Sequence, residues 1–184
     1  ILYTMTTLLI NSLSSLVGWD SSLENTAKLT SDLDITSLEN FPISIGDAVN
    51  SIVFDGNKKT INVTIDQFVG LFLPNNDSVS ITVKNLIVNV TNNSENTDIL
   101  TSAEGSGFII TDTLVPAINN YNLTIIDCAV IGNFDIGSYA GAILGRSNYY
   151  NSNVSNCAIS GCYTSGNSAG IQTGGIVGWV GGSN

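Results

Sequence analysis

Two short patterns alternate along this chain, and their alternation constrains the fold more than any other feature. The first occurs as Thr60-Ile61-Asn62-Val63-Thr64-Ile65, Val83-Lys84-Asn85-Leu86-Ile87-Val88, Ile125-Ile126-Asp127-Cys128-Ala129-Val130 and Val154-Ser155-Asn156-Cys157-Ala158-Ile159. Each has Asn or Asp at its third position, followed by an apolar, a variable and an apolar residue. The second occurs as Gly70-Leu71-Phe72-Leu73, Gly107-Phe108-Ile109-Ile110, Gly141-Ala142-Ile143-Leu144 and Gly174-Gly175-Ile176-Val177. Each Gly-led run follows one Asx corner and precedes the next. Intervals of roughly twenty to forty residues that vary by insertion indicate a solenoid with loops of unequal length.

Stacking explains the residue types. Successive turns of such a chain lie in parallel register, about 4.8 Å apart. Side chains beside the corner alternate inward and outward. Val63, Leu86, Cys128 and Cys157 are expected to point inward, with Ile65, Val88, Val130 and Ile159. Thr64, Ile87, Ala129 and Ala158 are expected to point outward. Asn62, Asn85, Asp127 and Asn156 then form a ladder of side chains that satisfies turn backbone groups. Gly ahead of the apolar run gives a tight bend or a close backbone approach.

Hairpins are disfavoured, because the chain has no Asn-Gly and a single Asp-Gly at Asp55-Gly56. The expected fold is all-β, a right-handed parallel β-helix over 27–184. A short N-terminal cap is expected over 1–26, with Leu9, Leu13 and Leu16 at helical spacing. The chain opens on Ile1 and closes on Gly181-Gly182-Ser183-Asn184, soon after a Gly-led run, so the stack is expected to continue in a longer protein.

Composition agrees with a folded, turn-rich β chain: 43 % hydrophobic and 11 % charged. Fifteen acids stand against five bases, and there is no His. The bases are Lys28, Lys58, Lys59, Lys84 and Arg146, of which only Lys58 and Lys59 are adjacent. Nucleic acid and anionic membrane surfaces need clustered bases, so neither is expected as a partner. No stretch is apolar enough to cross a bilayer, and direct membrane insertion is not expected.

Leu29-Thr30-Ser31-Asp32-Leu33-Asp34-Ile35, Phe41-Pro42-Ile43 with Ile45-Gly46, Phe54-Asp55-Gly56-Asn57, Thr60-Ile61-Asn62, Val69-Gly70-Leu71-Phe72 and Val83-Lys84-Asn85-Leu86 occur in that order. This order resembles the opening turns of GLUG-type right-handed β-helix proteins. Gly174-Gly175-Ile176-Val177-Gly178 resembles the GLUG repeat itself. Lys58 and Leu73 depart from the pattern where glycines are usual. The resemblance covers roughly residues 27 to 178. It implies an extracellular, cell-surface or virion-surface protein of the adhesin type. Host glycans or surface proteins are the implied partners, with assembly into homo-oligomers or filaments. The same pectin-lyase-like fold hosts polysaccharide lyases and glycoside hydrolases, and fold alone does not separate these.

Candidate sites are few, and no catalytic, cofactor or metal residue is assigned. Asp32 and Asp34, with Asp55 near, suit either Ca²⁺ or turn capping; capping is preferred, because a full set of oxygen ligands is missing. Asp66, Asp112, Asp127 and Asp135 are the carboxylates available for glycoside hydrolysis. An enzyme would need a cleft built by the two long insertions, Asn92–Ser106 and Arg146–Ser152. Without His there is no Ser-His pair, and without Cys-x-x-Cys no zinc site is expected. Cys128 and Cys157 share a repeat position and are either a disulfide or stacked reduced thiols, with Cys162 left over. Sequons fall at Asn62, Asn76, Asn89, Asn92, Asn122 and Asn153. Asn62 belongs to the ladder, which leaves Asn76, Asn89, Asn92, Asn122 and Asn153 as glycosylation acceptors. The preferred function is a structural or adhesive surface module, the alternative a polysaccharide-active enzyme. An ice- or surface-binding face ranks last, since Thr64, Ile87, Ala129 and Ala158 form no regular Thr array.

Overall fold

The computed structural model describes residues 7–45, 51–74, 80–91, 100–101, 106–111, 122–137, 140–147, 151–163 and 175–180. Alternating burial produces the strands. In β5 (Ser51–Val63) and β7 (Ser80–Val90) every second residue on either side of a central corner is buried. Ile52, Phe54, Ile61 and Val63 face the core from the first, and Ile81, Val83, Leu86, Val88 and Val90 from the second.

Other passes of the chain are cut in two at the corner. They give β2 (Thr26–Leu29) and β3 (Leu33–Ile35), β9 (Asn122–Ile126) and β10 (Ala129–Asp135), and β12 (Asn151–Ser155) and β13 (Ala158–Tyr163). A short strand, β8 (Leu100–Thr101), pairs with the end of β10. Before the corner β2, β5, β7, β9 and β12 stack in that order, and after it β3, β5, β7, β10 and β13. Together with β1 (Thr7–Ile10), which pairs with β2, they form one large sheet.

The Gly-led runs build a second stack. β4 (Ile43–Ile45) pairs with β6 (Phe72–Pro74), and β11 (Leu144–Ser147) with β14 (Val177–Val180). Bridges from Phe72 to Ile110 and from Ile110 to Leu144 join the two pairs. Every pairing among the described residues is parallel. The chain is therefore all-β with a large parallel sheet, and the hairpin alternative fails.

The core lies between the two stacks. Phe54 of the large sheet meets Phe72 of the small one with ring centroids 4.8 Å apart. Phe108 and Phe134 meet across the same interior at 5.0 Å. Trp19 covers the N-terminal end of this aromatic row, 5.9 Å from Phe54 and 6.2 Å from Phe72. Its indole N–H donates to the Glu24 carbonyl at 2.7 Å, which satisfies its one polar atom.

The N-terminal segment differs from a wholly capping one. The sheet already begins at β1, inside 1–26, and helix α1 (Leu13–Val17) is five residues long. Ser12 caps it: its hydroxyl accepts the Ser15 N–H at 3.2 Å, and Ser15 Oγ accepts the Ser12 N–H at 3.1 Å. Leu16 is buried beneath the helix, whereas Leu9 lies in the strand and is 60 % exposed.

The register corrects one alignment. Asp55 pairs with Lys84 and Lys59 with Leu86, so β5 spends three residues where β7 spends one. Asn57 and Lys58 occupy the excess, with φ of 52° and 60°. Asn62 consequently sits opposite Asn89, and Val63 opposite Val90. Asn62 is not in the column of Asn85. The first Gly-led run is also shifted, by one place, because Phe72 rather than Leu73 stacks on Ile110.

Candidate binding face and corner ladders

Asn85, Asp127 and Asn156 stand at one corner of successive passes, with φ of 54°, 55° and 52°. Asn and Asp tolerate this left-handed conformation better than other side-chain-bearing residues. Asn85 Nδ2 donates to Asp55 Oδ1 at 3.0 Å. Asn156 Nδ2 donates to Asp127 Oδ1. Asp55, absent from the expected ladder, takes the place assigned to Asn62. Asp55 Oδ1 also accepts the Asn57 N–H at 2.8 Å, and Asn57 Nδ2 reaches the Leu29 carbonyl at 3.0 Å.

Lys84 Nζ lies 3.7 Å from Asp55 Oδ2, and Lys28 is in register with Asp55 on the other side. Partial burial pushes the Asp55 carboxyl upward, but the bonds from Asn85 and Asn57 and the charges of Lys84 and Lys28 outweigh it, so its pKa is lowered. The corner thus gathers the adjacent Lys58 and Lys59 with Lys28 and Lys84, which lie far from them in sequence. Asp32 and Asp55 interleave with them, giving a mixed edge rather than a basic stripe.

A second ladder runs after the corner. Asn62 Nδ2 donates to Asp34 Oδ1 at 2.8 Å, and Asn89 Nδ2 to Asn62 Oδ1 at 3.0 Å. Asp32 Oδ1 accepts the Thr60 N–H at 2.8 Å. Both carboxylates therefore bind the next pass, Asp32 through a backbone N–H, as capping requires, and Asp34 through a side-chain amide. No group of three His, Cys, Asp or Glu residues able to hold a metal occurs among the described residues.

The ladder also bears on glycosylation. The amide nitrogen of Asn89 is engaged and the residue half-buried, which makes it a poor acceptor. Asn122 and Asn153 are exposed on β9 and β12. Asn76 and Asn92 lie outside the described residues.

The carboxylates considered for hydrolysis that are described sit on different parts of the fold. Asp127 sits at the corner bound to Asn156, and Asp135 at the far end of β10, buried and accepting the Ile136 N–H at 2.8 Å. Asp66 is exposed after β5, and Asp112 lies outside the described residues. Most of the first long insertion lies outside them too, as do residues 148–150 of the second.

The face before the corner was missed. Thr7, Thr26, Val53, Thr82, Thr124 and Asn153 stack in one outward column. Two residues away, Ser51 pairs with Ser80 and Asn122 with Asn151. Column spacing follows strand geometry, about 4.8 Å between strands and about 6.6 Å along them. The result is a grid of hydroxyls and amides, broken by Val53 and bordered on the corner side by the charged column of Lys28, Asp55 and Lys84. Its signal was present: Thr stands three residues before the corner in both Thr82-Val83-Lys84-Asn85 and Thr124-Ile125-Ile126-Asp127. The outward column after the corner runs through Thr60, Ile87, Ala129 and Ala158, with Thr60 in the place expected for Thr64, and it forms no regular Thr array.

Cys128 and Cys157 occupy neighbouring rungs, since Ala129 pairs with Ala158 and Ile126 with Ser155. Both are free thiols, Cys128 buried and Cys157 half-buried. Burial pushes the Cys128 thiol up to about 12 and raises that of Cys157 as well. Cys162 is placed in β13, opposite Phe134.

Comparison of the chain with protein-family models, with curated proteins and with solved structures found no match.

Proposed function

We propose that this chain winds as a right-handed parallel β-helix and serves as a structural or adhesive module at an extracellular, cell or virion surface, binding uncharged glycan through the face before the corner. The grid of hydroxyls and amides, broken only by Val53 and lying beside the Lys28–Asp55–Lys84 column, is the observation that carries the reading. Sugars are recognised by hydrogen bonds to hydroxyls, and Ser, Thr and Asn side chains supply both donors and acceptors. The grid repeats at the strand spacing, which suits a ligand that itself repeats.

The winding is supported by five passes that each enter the large sheet in parallel register and by crossovers between parallel strands, which are right-handed in nearly all sheets. Stacked Asx corners with left-handed φ hold the passes in line. The resemblance to GLUG-type surface proteins points the same way.

The experiment is a binding screen of the full chain against immobilised neutral and acidic glycans, repeated with Thr82→Lys and Thr124→Lys together. Both positions point outward from stable strands, so folding should be kept and is checked by circular dichroism. The expected result is binding to a neutral glycan that falls at least tenfold in the double variant. Absence of neutral-glycan binding, or equal binding by the variant, overturns the proposed face.

A further inference from the structure

The cysteine pair carries an inference independent of glycan binding. Cys128 and Cys157 repeat the same surroundings one strand apart. Cys128 Sγ donates to the Ile126 carbonyl at 3.3 Å, and Cys157 Sγ to the Ser155 carbonyl at 3.3 Å. Each also reaches a carbonyl of the preceding pass, Val83 and Ile125 respectively, at 3.7 Å. In-register parallel neighbours have Cα atoms about 4.8 Å apart, within the range that a disulfide bridges. We propose that this pair is an oxidation site at which a reversible disulfide fastens the fifth pass of the chain to the fourth.

The chemistry is thiol–disulfide exchange with a small-molecule disulfide such as oxidised glutathione. Cys157, half-buried, is the accessible nucleophile. Its thiol gives up a proton, and the thiolate attacks one reagent sulfur, breaking the reagent S–S bond and releasing one glutathione thiolate. Cys128 then gives up its proton and attacks the Cys157 sulfur of the mixed disulfide. The second glutathione thiolate leaves. One protein S–S bond forms, one reagent S–S bond is lost, and the two protons end on the released thiols. Exchange needs the thiolate, and both groups are held protonated by burial, so the step is slow near neutral pH and quickens as pH rises.

The location gives the bond a consequence. Val154, Cys157, Ile159 and Val177 of the fifth pass are only partly buried, whereas their counterparts Ile125, Cys128, Val130 and Leu144 in the fourth are buried. A cross-link here would tie the less covered pass to a fully packed one. Parallel neighbours hold their Cβ atoms farther apart than the usual disulfide span, which makes the bond strained and readily reduced.

The test incubates the folded full chain with oxidised glutathione at pH 7 and pH 9. Remaining thiols are blocked, and chymotryptic peptides are mapped by mass spectrometry without reduction. The expected product is a peptide joining Cys128 to Cys157. It should form about tenfold faster per pH unit below the thiol pKa. It should form equally in Cys162→Ser, and mild dithiothreitol should reverse it. A folded chain in which both thiols stay free, stops at the mixed disulfide, or pairs either cysteine with Cys162 overturns the proposal. Cys157 and Cys162 share one chymotryptic peptide, so fragmentation of the linked pair, which locates the blocked thiol, assigns the bond in the unmutated chain.

Discussion

Asp55 sits where the corner ladder meets the lysines. Asn85 and Asn57 donate to it, and Lys84 and Lys28 lie on either side in register. Its pKa is lowered on folding, so its stabilisation is complete above the ordinary carboxylate range. That stabilisation is lost as pH falls through the folded value. Replacing Asp55 by Asn should remove about 1–2 kcal/mol at pH 7 and almost nothing at pH 2, read from urea unfolding at both pH values. Equal losses at both would mean that the carboxylate charge is immaterial. A second residue tests the next corner. Gly132 has φ of 119°, and a Cβ there would lie 2.0 Å from the Val90 carbonyl oxygen. Gly161 repeats this one rung later, 1.7 Å from the Gly132 oxygen. Gly132→Ala should cost about 3–5 kcal/mol, seen as a lower denaturant midpoint, because both backbone strain and a backbone clash oppose it. This stacked glycine corner was legible in Ala129-Val130-Ile131-Gly132 and Ala158-Ile159-Ser160-Gly161. It is masked in the sequence by the more regular glycines ahead of the apolar runs.

At the scale of elements, α1 and Trp19, two residues beyond it, close the N-terminal end of the core. Trp19 is 4 % exposed and touches both aromatic stacks through Phe54 and Phe72. Trp19→Ala should destabilise the chain by about 3–5 kcal/mol, since it opens a large cavity between the two sheets. Leu23, 79 % exposed, is the control, and its replacement by Ala should change stability by less than about 0.5 kcal/mol. Thermal unfolding of both variants checks the contrast. The elements themselves were largely readable from sequence, because period-two burial and left-handed Asx corners leave marks in residue type. Corner length was not readable. After Asp55-Gly56-Asn57-Lys58 the chain resumes alternation, and Asn62-Val63-Thr64-Ile65 imitates a corner followed by a strand. Only the pairing of Lys59 with Leu86 shows that the real corner lies earlier. The same slip hid the Asp34–Asn62–Asn89 ladder and made Asn89 look free for glycosylation.

For the whole molecule, stacking implies that stability is shared between nearest neighbours along the stack. The middle passes have packed passes on both sides, and Phe54, Val83 and Val130 are fully buried. The first pass is closed over by Trp19. In the fifth, the inward residues Val154, Ile159 and Val177 are only partly buried. Native-state hydrogen exchange should therefore rank the strands by position. Amides in β7 should open only with the whole molecule, while those in β13 and β14 exchange at markedly lower free energy. Strands at one level of a pass should share one opening energy, since a pass cannot lose its place in one sheet and keep it in the other. Were β13 to show the protection of β7, the chain would unfold as a single cooperative block, and neighbour-by-neighbour stability would be the wrong description. Oxidation of the cysteine pair sharpens the comparison. It should raise protection in β12 and β13 and leave β5 and β7 unchanged, because the bond acts only between the two passes that it joins.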